Sequence, residues 1–269
     1  MQLALSGFMF EDDYQTQSVS FSRFCEVARA AGYQCVELRD TQISLETGTA
    51  ERTRLLQAVL DAELAVSCLT ARGLPGSGAE RDEFFLRYLD LCRDMKCGLL
   101  KIESDTAWLN LAAGQAQNYG VTLARNNHIN GRLETVGGTR EYLREIAHPN
   151  FGLLYDSLHL CVNGEDYLGC IPEFAAVTRN ILVHSRRLAG RGEQAVMDFK
   201  GSRWSHALPD DTGAQDWPGI FRRFRQSGYD GLITVIESGW PKERREEIAF
   251  RCAEILRRLW EAAVHDGGC

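Results

Sequence analysis

The chain of 269 residues is 44% hydrophobic and 25% charged, values typical of a globular protein that folds around its own core. Its net charge of −7 argues against a nucleic-acid partner, because phosphate backbones are bound by basic surfaces. No apolar run approaches the roughly 20 residues that cross a bilayer, so no membrane partner is expected.

Nine scattered cysteines, an odd number without zinc-site spacing, indicate free and mostly buried thiols. The N-terminus also lacks the basic flank of a signal peptide. Together these features favour a cytoplasmic protein.

Strand-like and helix-like segments alternate from one end of the chain to the other. Short apolar runs predict strands, and apolar residues spaced three and four apart predict helices. The predicted strands are Leu3–Ser6, Cys35–Leu38, Ala65–Thr70, Gly98–Ile102, Val121–Ala124, Phe151–Tyr155, Ile181–Val183 and Leu232–Ile236. The predicted helices are Ser20–Ala31, Thr49–Ala62, Glu80–Met95, Trp108–Tyr119, Thr139–Ile146, Ile171–Thr178, Trp217–Ser227 and Pro241–Val264.

These eight strand–helix units follow one another without a linker or a break in composition. Nearly continuous apolar strands that alternate with helices indicate a parallel sheet covered by helices, and eight units favour closure into a barrel. No glycine-rich phosphate motif follows the first strand, which disfavours an open dinucleotide-binding sheet. We predict one α/β domain over residues 1–269, a (β/α)8 TIM barrel, with the long loop Arg186–Asp216 covering the site.

Polar residues at the strand ends are the candidate functional groups, since catalytic residues of such barrels lie at the C-terminal ends of strands. Any one of them could instead be a helix N-cap or half of an ion pair. Alternation along the strands predicts an inward-facing set, which comprises Glu37, Arg39, Lys101, Glu103, Asn126 or Arg125, Asp156, His184 and Glu237. Asp156, His184 and Glu237 end successive strands and form an O/N/O set suited to Mn²⁺, Mg²⁺, Co²⁺ or Zn²⁺.

Five segments of the chain resemble the xylose isomerase-like TIM barrels of the sugar phosphate isomerase/epimerase family. They occur in the family's order and span essentially the whole chain. They are VARAAGYQCVELRD at the second strand, GVTLARNNH at the fifth, GLLYDSLHL at the sixth, ILVHSRR at the seventh and LPDDTGAQDWPGIFRRFRQSGYDGLITVIES at the end.

The resemblance implies a divalent metal ion bound by Asp156, His184 and Glu237, with His159 touching the substrate. The family's fifth strand supplies a glutamate that is both a fourth ligand and one of two acid/base carboxylates; here that position is Asn126. An amide offers a neutral oxygen and carries no proton, so we expect weaker metal binding and a catalytic role for Glu237. Glu103, beside Lys101, is the first candidate for a relocated base, and Glu37 is the second.

Further substrate-binding candidates near the mouth are Lys101, Arg186, His128 and Glu37.

The resemblance implies an isomerase or epimerase that acts on a sugar, keto-sugar or cyclitol by proton transfer beside a metal-polarised carbonyl. Elimination from a keto-sugar or C-glycoside by a lyase or dehydratase is one alternative, and a metal-poor binding or accessory subunit is another. Relatives suggest a homo-oligomer or hetero-oligomer. The DNA-repair endonuclease branch is disfavoured by six histidines and an acidic balance.

Overall fold

Eight parallel strands close into a barrel in the computed structural model, which describes residues 1–265. Each strand pairs with the next along the chain, and the eighth pairs with the first, as at Ala4 and Thr234. The strands are Gln2–Ser6, Cys35–Leu38, Ala65–Thr70, Leu99–Lys101, Thr122–Asn126, Phe151–Asp156, Thr178–Val183 and Leu232–Val235. The predicted fold class is therefore confirmed.

The α-helices pack around this barrel. They span Phe21–Ala30, Thr49–Asp61, Gly78–Asp94, Thr106–Gln117, Val136–Ile146, Ser157–Val162, Ile171–Phe174, Trp217–Gln226 and Arg245–His265. The predicted helix Ile171–Thr178 is wrong at its end, because a 3₁₀ turn takes over at Ala175–Val177 and Thr178 already begins the seventh strand. The six-residue helix Ser157–Val162 was not predicted, since six residues are too few to establish a helical period.

Two apolar layers hold the barrel together. The larger layer lies between the strands and the helices and includes Phe85, Trp217 and Phe224. A smaller one fills the barrel interior with Cys68, Leu99, Ala124, Leu154, Leu182 and Ile236. Full burial of a leucine-sized side chain contributes about 1.5–3 kcal/mol. The apolar interior packing leaves the polar side chains at the strand ends.

The segment predicted as the long loop Arg186–Asp216 contains regular structure, which corrects that prediction. Arg186–Leu188, Met197–Phe199 and Ser202–His206 form a three-stranded antiparallel sheet, here called the cover sheet. Strands of three to five residues are too short to reveal a period of two against the surrounding glycines. Arg186 and Met197 of the cover sheet, together with Val196 just before its second strand, border the barrel mouth, where a covering role was expected.

The described cysteines, which exclude Cys269, are all free and seven of the eight are buried. Across residues 1–265, no helix has the length and apolarity needed to cross a membrane.

Candidate functional site

A cavity of about 370 Å³ opens at the C-terminal ends of the strands and is here called the central cavity. Most of the predicted site residues line it: Glu37, Arg39, Lys101, Asn126, His128, Asp156, His159, His184 and Arg186. Phe8, Val196, Met197 and Ile236 supply apolar walls. Polar groups converging in a partly apolar cleft are typical of small-molecule sites.

Asp156, His159 and His184 form a compact group at the cavity floor. Their ligand atoms all lie within 4.8 Å of one another. Asp156 Oδ2, His159 Nδ1 and both ring nitrogens of His184 are buried without a hydrogen-bond partner among the described residues. Leaving such groups unpaired is costly, so the geometry calls for a bound partner that accepts lone pairs.

The protonation states of this group suit a cation. Burial lowers the pKa of His159 to about 3 and holds the pKa of His184 well below its usual range, with Arg186 acting in the same direction on both. Both imidazoles are therefore neutral at neutral pH and present lone pairs. Burial also raises the pKa of Asp156 to about 7, although electrostatic interactions with the nearby His128 and Lys101 oppose that rise.

Asn126 lines the same cavity. Its Nδ2 donates to the backbone oxygen of Asn127 at 3.2 Å, whereas Oδ1 is buried and has no partner among the described residues. This orientation leaves the oxygen, the metal-compatible end of the amide, unpaired. Its role as a ligand stays a prediction.

Asn127 was missed from the sequence and positions Asp156. Its Nδ2 donates to the backbone oxygen of Asp156 at 2.7 Å, and its Oδ1 accepts from the Asp156 N–H at 2.9 Å. Asp156 Oδ1 in turn accepts from the N–H of Leu158 and caps the short helix that follows the sixth strand. The two adjacent asparagines in the NNH segment were the sequence signal for this role. Strand alternation, however, predicts that the Asn127 side chain points away from the cavity.

Glu237 lies beneath the mouth, fully buried and outside the residues that line the central cavity. Its Oε1 accepts from the Ser185 N–H at 2.5 Å, and its Oε2 accepts from Arg186 Nη1 at 2.8 Å and from Trp240 Nε1 at 3.2 Å. The guanidinium supplies the positive charge that the resemblance assigned to a metal. Its roles as ligand and catalytic carboxylate stay predictions, and neither Arg186 nor Trp240 was expected as its partner.

Glu103, predicted to face inward, lies past the end of the fourth strand with 71% of its side chain exposed. It pairs with Arg125 at 2.7 Å and lines two neighbouring cavities rather than the central one. The strand ends at Lys101, so strict alternation no longer holds two residues later.

Glu37 and His128 also line the central cavity. Glu37 is buried, and its Oε1 accepts a 2.7 Å hydrogen bond from Ser6 Oγ on the first strand. The His128 ring contacts that of His159 in a tilted arrangement, with centroids 4.0 Å apart and an interplanar angle of 43°, and its Nδ1 lies 2.7 Å from the Ile129 carbonyl oxygen. Burial lowers the pKa of His128, so its ring is neutral at neutral pH.

The residues present fit a divalent metal ion. Ligand atoms of Asp156, His159 and His184 lie within 4.8 Å of one another, and the unpaired amide oxygen of Asn126 belongs to a residue that lines the same cavity. Mixed nitrogen and oxygen donors of this kind suit Mn²⁺, Co²⁺ or Zn²⁺.

Replacing Asn126 by glutamate is expected to tighten Mn²⁺ binding by about tenfold, because a second carboxylate adds charge where Oδ1 now stands. Calorimetric titration with MnCl₂ measures this change. Asn126→Gln, which lengthens the side chain without adding charge, is the control. An affinity equal to that of the wild type would mean that this side chain does not reach the metal.

Three comparisons with known proteins bear on this fold and site. The curated inosose dehydratase of Mesomycoplasma hyopneumoniae is 24% identical over 162 residues, which cover 56% of this chain and 52% of that protein. The chain thus spans about half the length of the curated relatives it matches.

Solved structures agree in fold. The probable 3-DHS dehydratase AsbF from Bacillus anthracis matches with a TM-score of 0.72 and 16% identity over 96% of this chain and 99% of that chain. An L-ribulose 3-epimerase matches with a TM-score of 0.73 and 16% identity over 99% and 97%.

The family model described as the xylose isomerase-like TIM barrel matches residues 25–259, most of the chain and every strand except the first. This match confirms the resemblance found in the five sequence segments. The chain belongs to the xylose isomerase-like TIM barrel family.

Proposed function

We propose that this protein is a divalent-metal-dependent lyase that removes water from a polyhydroxylated ketone, such as a keto-sugar or cyclitol. The main support for this proposal is a group of buried, unpaired atoms of Asp156, His159 and His184. They lie beside a cavity that a small molecule can enter. Asn126 adds a neutral oxygen to this group.

Asp156, His159 and His184, with Asn126 beside them, would hold the metal ion. The ion would polarise the substrate carbonyl and so acidify the adjacent C–H bond. Because both imidazoles are neutral, Asp156 would be the single charged ligand of this set once its carboxyl group is deprotonated. His128, whose ring contacts that of His159, would help to fix the orientation of the His159 ring.

Glu37 is the proposed base, because its carboxylate is the one in the central cavity that belongs neither to the ligand group nor to the buried pair with Arg186. Ser6 holds one of its oxygens, which fixes the carboxylate. The carboxylate takes the proton from the carbon next to the carbonyl. The electron pair then forms a C=C bond as the β C–O bond breaks, and Glu37 returns the proton to the departing oxygen, which leaves as water.

Dehydration is favoured over epimerisation by the number of proton carriers. Inverting a stereocentre by proton transfer requires groups on both faces of the substrate, and the two family carboxylates are here an amide, Asn126, and the ion-paired Glu237. A same-face elimination requires one carrier. Names among the relatives, inosose dehydratase and 3-DHS dehydratase, support the same choice.

An epimerase acting on a keto-sugar is the second candidate. The L-ribulose 3-epimerase structure, similar over 99% of this chain, favours it. The cavity would then need a second proton carrier, and Lys101, which lines the cavity, is the candidate for that role.

Incubation of Mn²⁺-loaded protein with a panel of inososes and keto-sugars in D₂O tests the proposal. A dehydratase gives a product 18 mass units below the substrate, whereas an epimerase gives an isomer that has gained one deuterium. Glu37→Gln, which is expected to retain Mn²⁺, should lower the dehydration rate by on the order of 100-fold or more. A Glu37→Gln variant with wild-type turnover would contradict the assignment of the base.

A further inference from the structure

Lys101 ends the fourth strand with its ammonium group unpaired. Its side chain makes no hydrogen bond or ion pair with another described residue, although it is only partly exposed. The chain has just four lysines, and the other three, Lys96, Lys200 and Lys242, are exposed to solvent. Lys101 is therefore the lysine that the fold withdraws from bulk water.

A second cavity of about 450 Å³, here called the side cavity, adjoins the central one at this lysine. The two share Tyr14, Arg39, Lys101, Asn126 and His128. The charged residues that line the side cavity are Arg39, Arg72, Lys101, Arg125 and Glu103. Four cations face one carboxylate, in a protein whose net charge is −7.

Two of these cations already have partners. Arg39 pairs with Glu11 at 3.3 Å, and Arg125 pairs with Glu103 at 2.7 Å. Lys101 is left with the positive field of both arginines and without a partner of its own. Burial lowers its pKa, the two arginines act in the same direction, and Glu37 opposes them. An anion bound here would relieve this unfavourable arrangement.

Thr70 provides a second unpaired donor beside Lys101. The two residues are register partners on the third and fourth strands, so their side chains leave the barrel wall side by side. Thr70 Oγ1 is buried without a hydrogen-bond partner among the described residues, and Thr70 lines the side cavity. An ammonium and a hydroxyl together suit the two oxygens of a carboxylate.

We propose that the side cavity binds a carboxylate carried by the substrate, held by Lys101 and Thr70, so that the substrate is an acidic polyhydroxylated ketone. The assignment of a ketone as the reactive group of that substrate rests on the proposed function, whereas the anion site is inferred from Lys101 and Thr70. Of the two lining cations without an ion-pair partner among the described residues, Arg72 is exposed to solvent and Lys101 is not, so one ammonium inside the cavity matches a monoanionic carboxylate better than a phosphate dianion. The side cavity thus selects the acid and the central cavity carries out the reaction.

Site-resolved labelling of the full chain tests this proposal without metal or turnover. Limited reductive methylation is followed by peptide mass spectrometry, which gives a modification rate for each lysine. The ligands are D-gluconate, D-glucitol and D-glucitol 6-phosphate at one ionic strength. Gluconate and glucitol differ only in the carboxylate, and Lys200 and Lys242 are internal references for general salt effects.

Gluconate is expected to slow the modification of Lys101 at least about threefold relative to glucitol and to leave the reference lysines unchanged, since the bound carboxylate blocks the amine and raises its pKa. Equal Lys101 rates in gluconate and glucitol would overturn the anion site. Stronger protection by glucitol 6-phosphate than by gluconate would overturn the carboxylate assignment. Neither result bears on the metal-dependent reaction, whose own test is the product mass.

Discussion

Replacing Arg186 by methionine is expected to lower the free energy of unfolding by about 3–5 kcal/mol, because it leaves the Glu237 carboxylate buried without its countercharge. Both side chains are almost fully buried, with 5% and 0% exposed, so water cannot substitute for the guanidinium. Chemical denaturation monitored by tryptophan fluorescence measures the change.

Two further variants separate this explanation from a general packing defect. Combining Arg186→Met with Glu237→Gln removes both charges while keeping an amide oxygen as acceptor for the Ser185 N–H, and it should recover more than half of the lost stability. Arg23→Met breaks the exposed pair with Glu246 and should change stability by less than about 1 kcal/mol. A double variant as unstable as Arg186→Met alone would argue that the ion pair does not explain the effect.

Asp156→Asn is expected to weaken Mn²⁺ binding on the order of 100-fold, because it removes the only charge from the proposed ligand set while preserving the shape of the side chain. The amide oxygen can still cap the helix Ser157–Val162 through the Leu158 N–H, so the fold should persist. Calorimetric titration with MnCl₂ gives the dissociation constant, and far-ultraviolet circular dichroism checks the fold.

Asp216→Asn is the matched control for that variant. Asp216 also caps a helix through its side chain, accepting from the Gly219 N–H at 2.9 Å, but it lies outside the central cavity. Its Mn²⁺ affinity should equal that of the wild type. If Asp156→Asn also bound Mn²⁺ with wild-type affinity, the metal site would have to lie elsewhere.

The sequence predicted the barrel because its signals are local and repeated. Runs such as Ala65–Thr70 and Phe151–Asp156 are short and apolar, and segments with helical periodicity lie between them and the next strands. The order of strands in the barrel therefore follows their order along the chain. The positions of Asp156, His184 and Lys101 at the mouth followed from strand alternation.

The hydrogen-bond and ion-pair partners of these side chains could not be predicted from strand alternation. The bond from Arg186 to Glu237 joins residues 51 positions apart and depends on how the chain turns after the seventh strand. The two hydrogen bonds between the Asn127 side chain and the Asp156 backbone depend on the register between the fifth and sixth strands. Glu103 faces away because its strand ends two residues earlier, a boundary that apolar patterning does not mark.

Elemental analysis of the wild-type protein, purified without chelator and saturated with MnCl₂, measures whether the grouped side chains hold a metal ion. We expect about one Mn²⁺ per chain, and retention of less than about a tenth of that amount in His184→Ala, which removes one of the three candidate ligands. Wild-type protein that stays metal-free after Mn²⁺ incubation, or His184→Ala that holds as much metal as the wild type, would contradict this expectation.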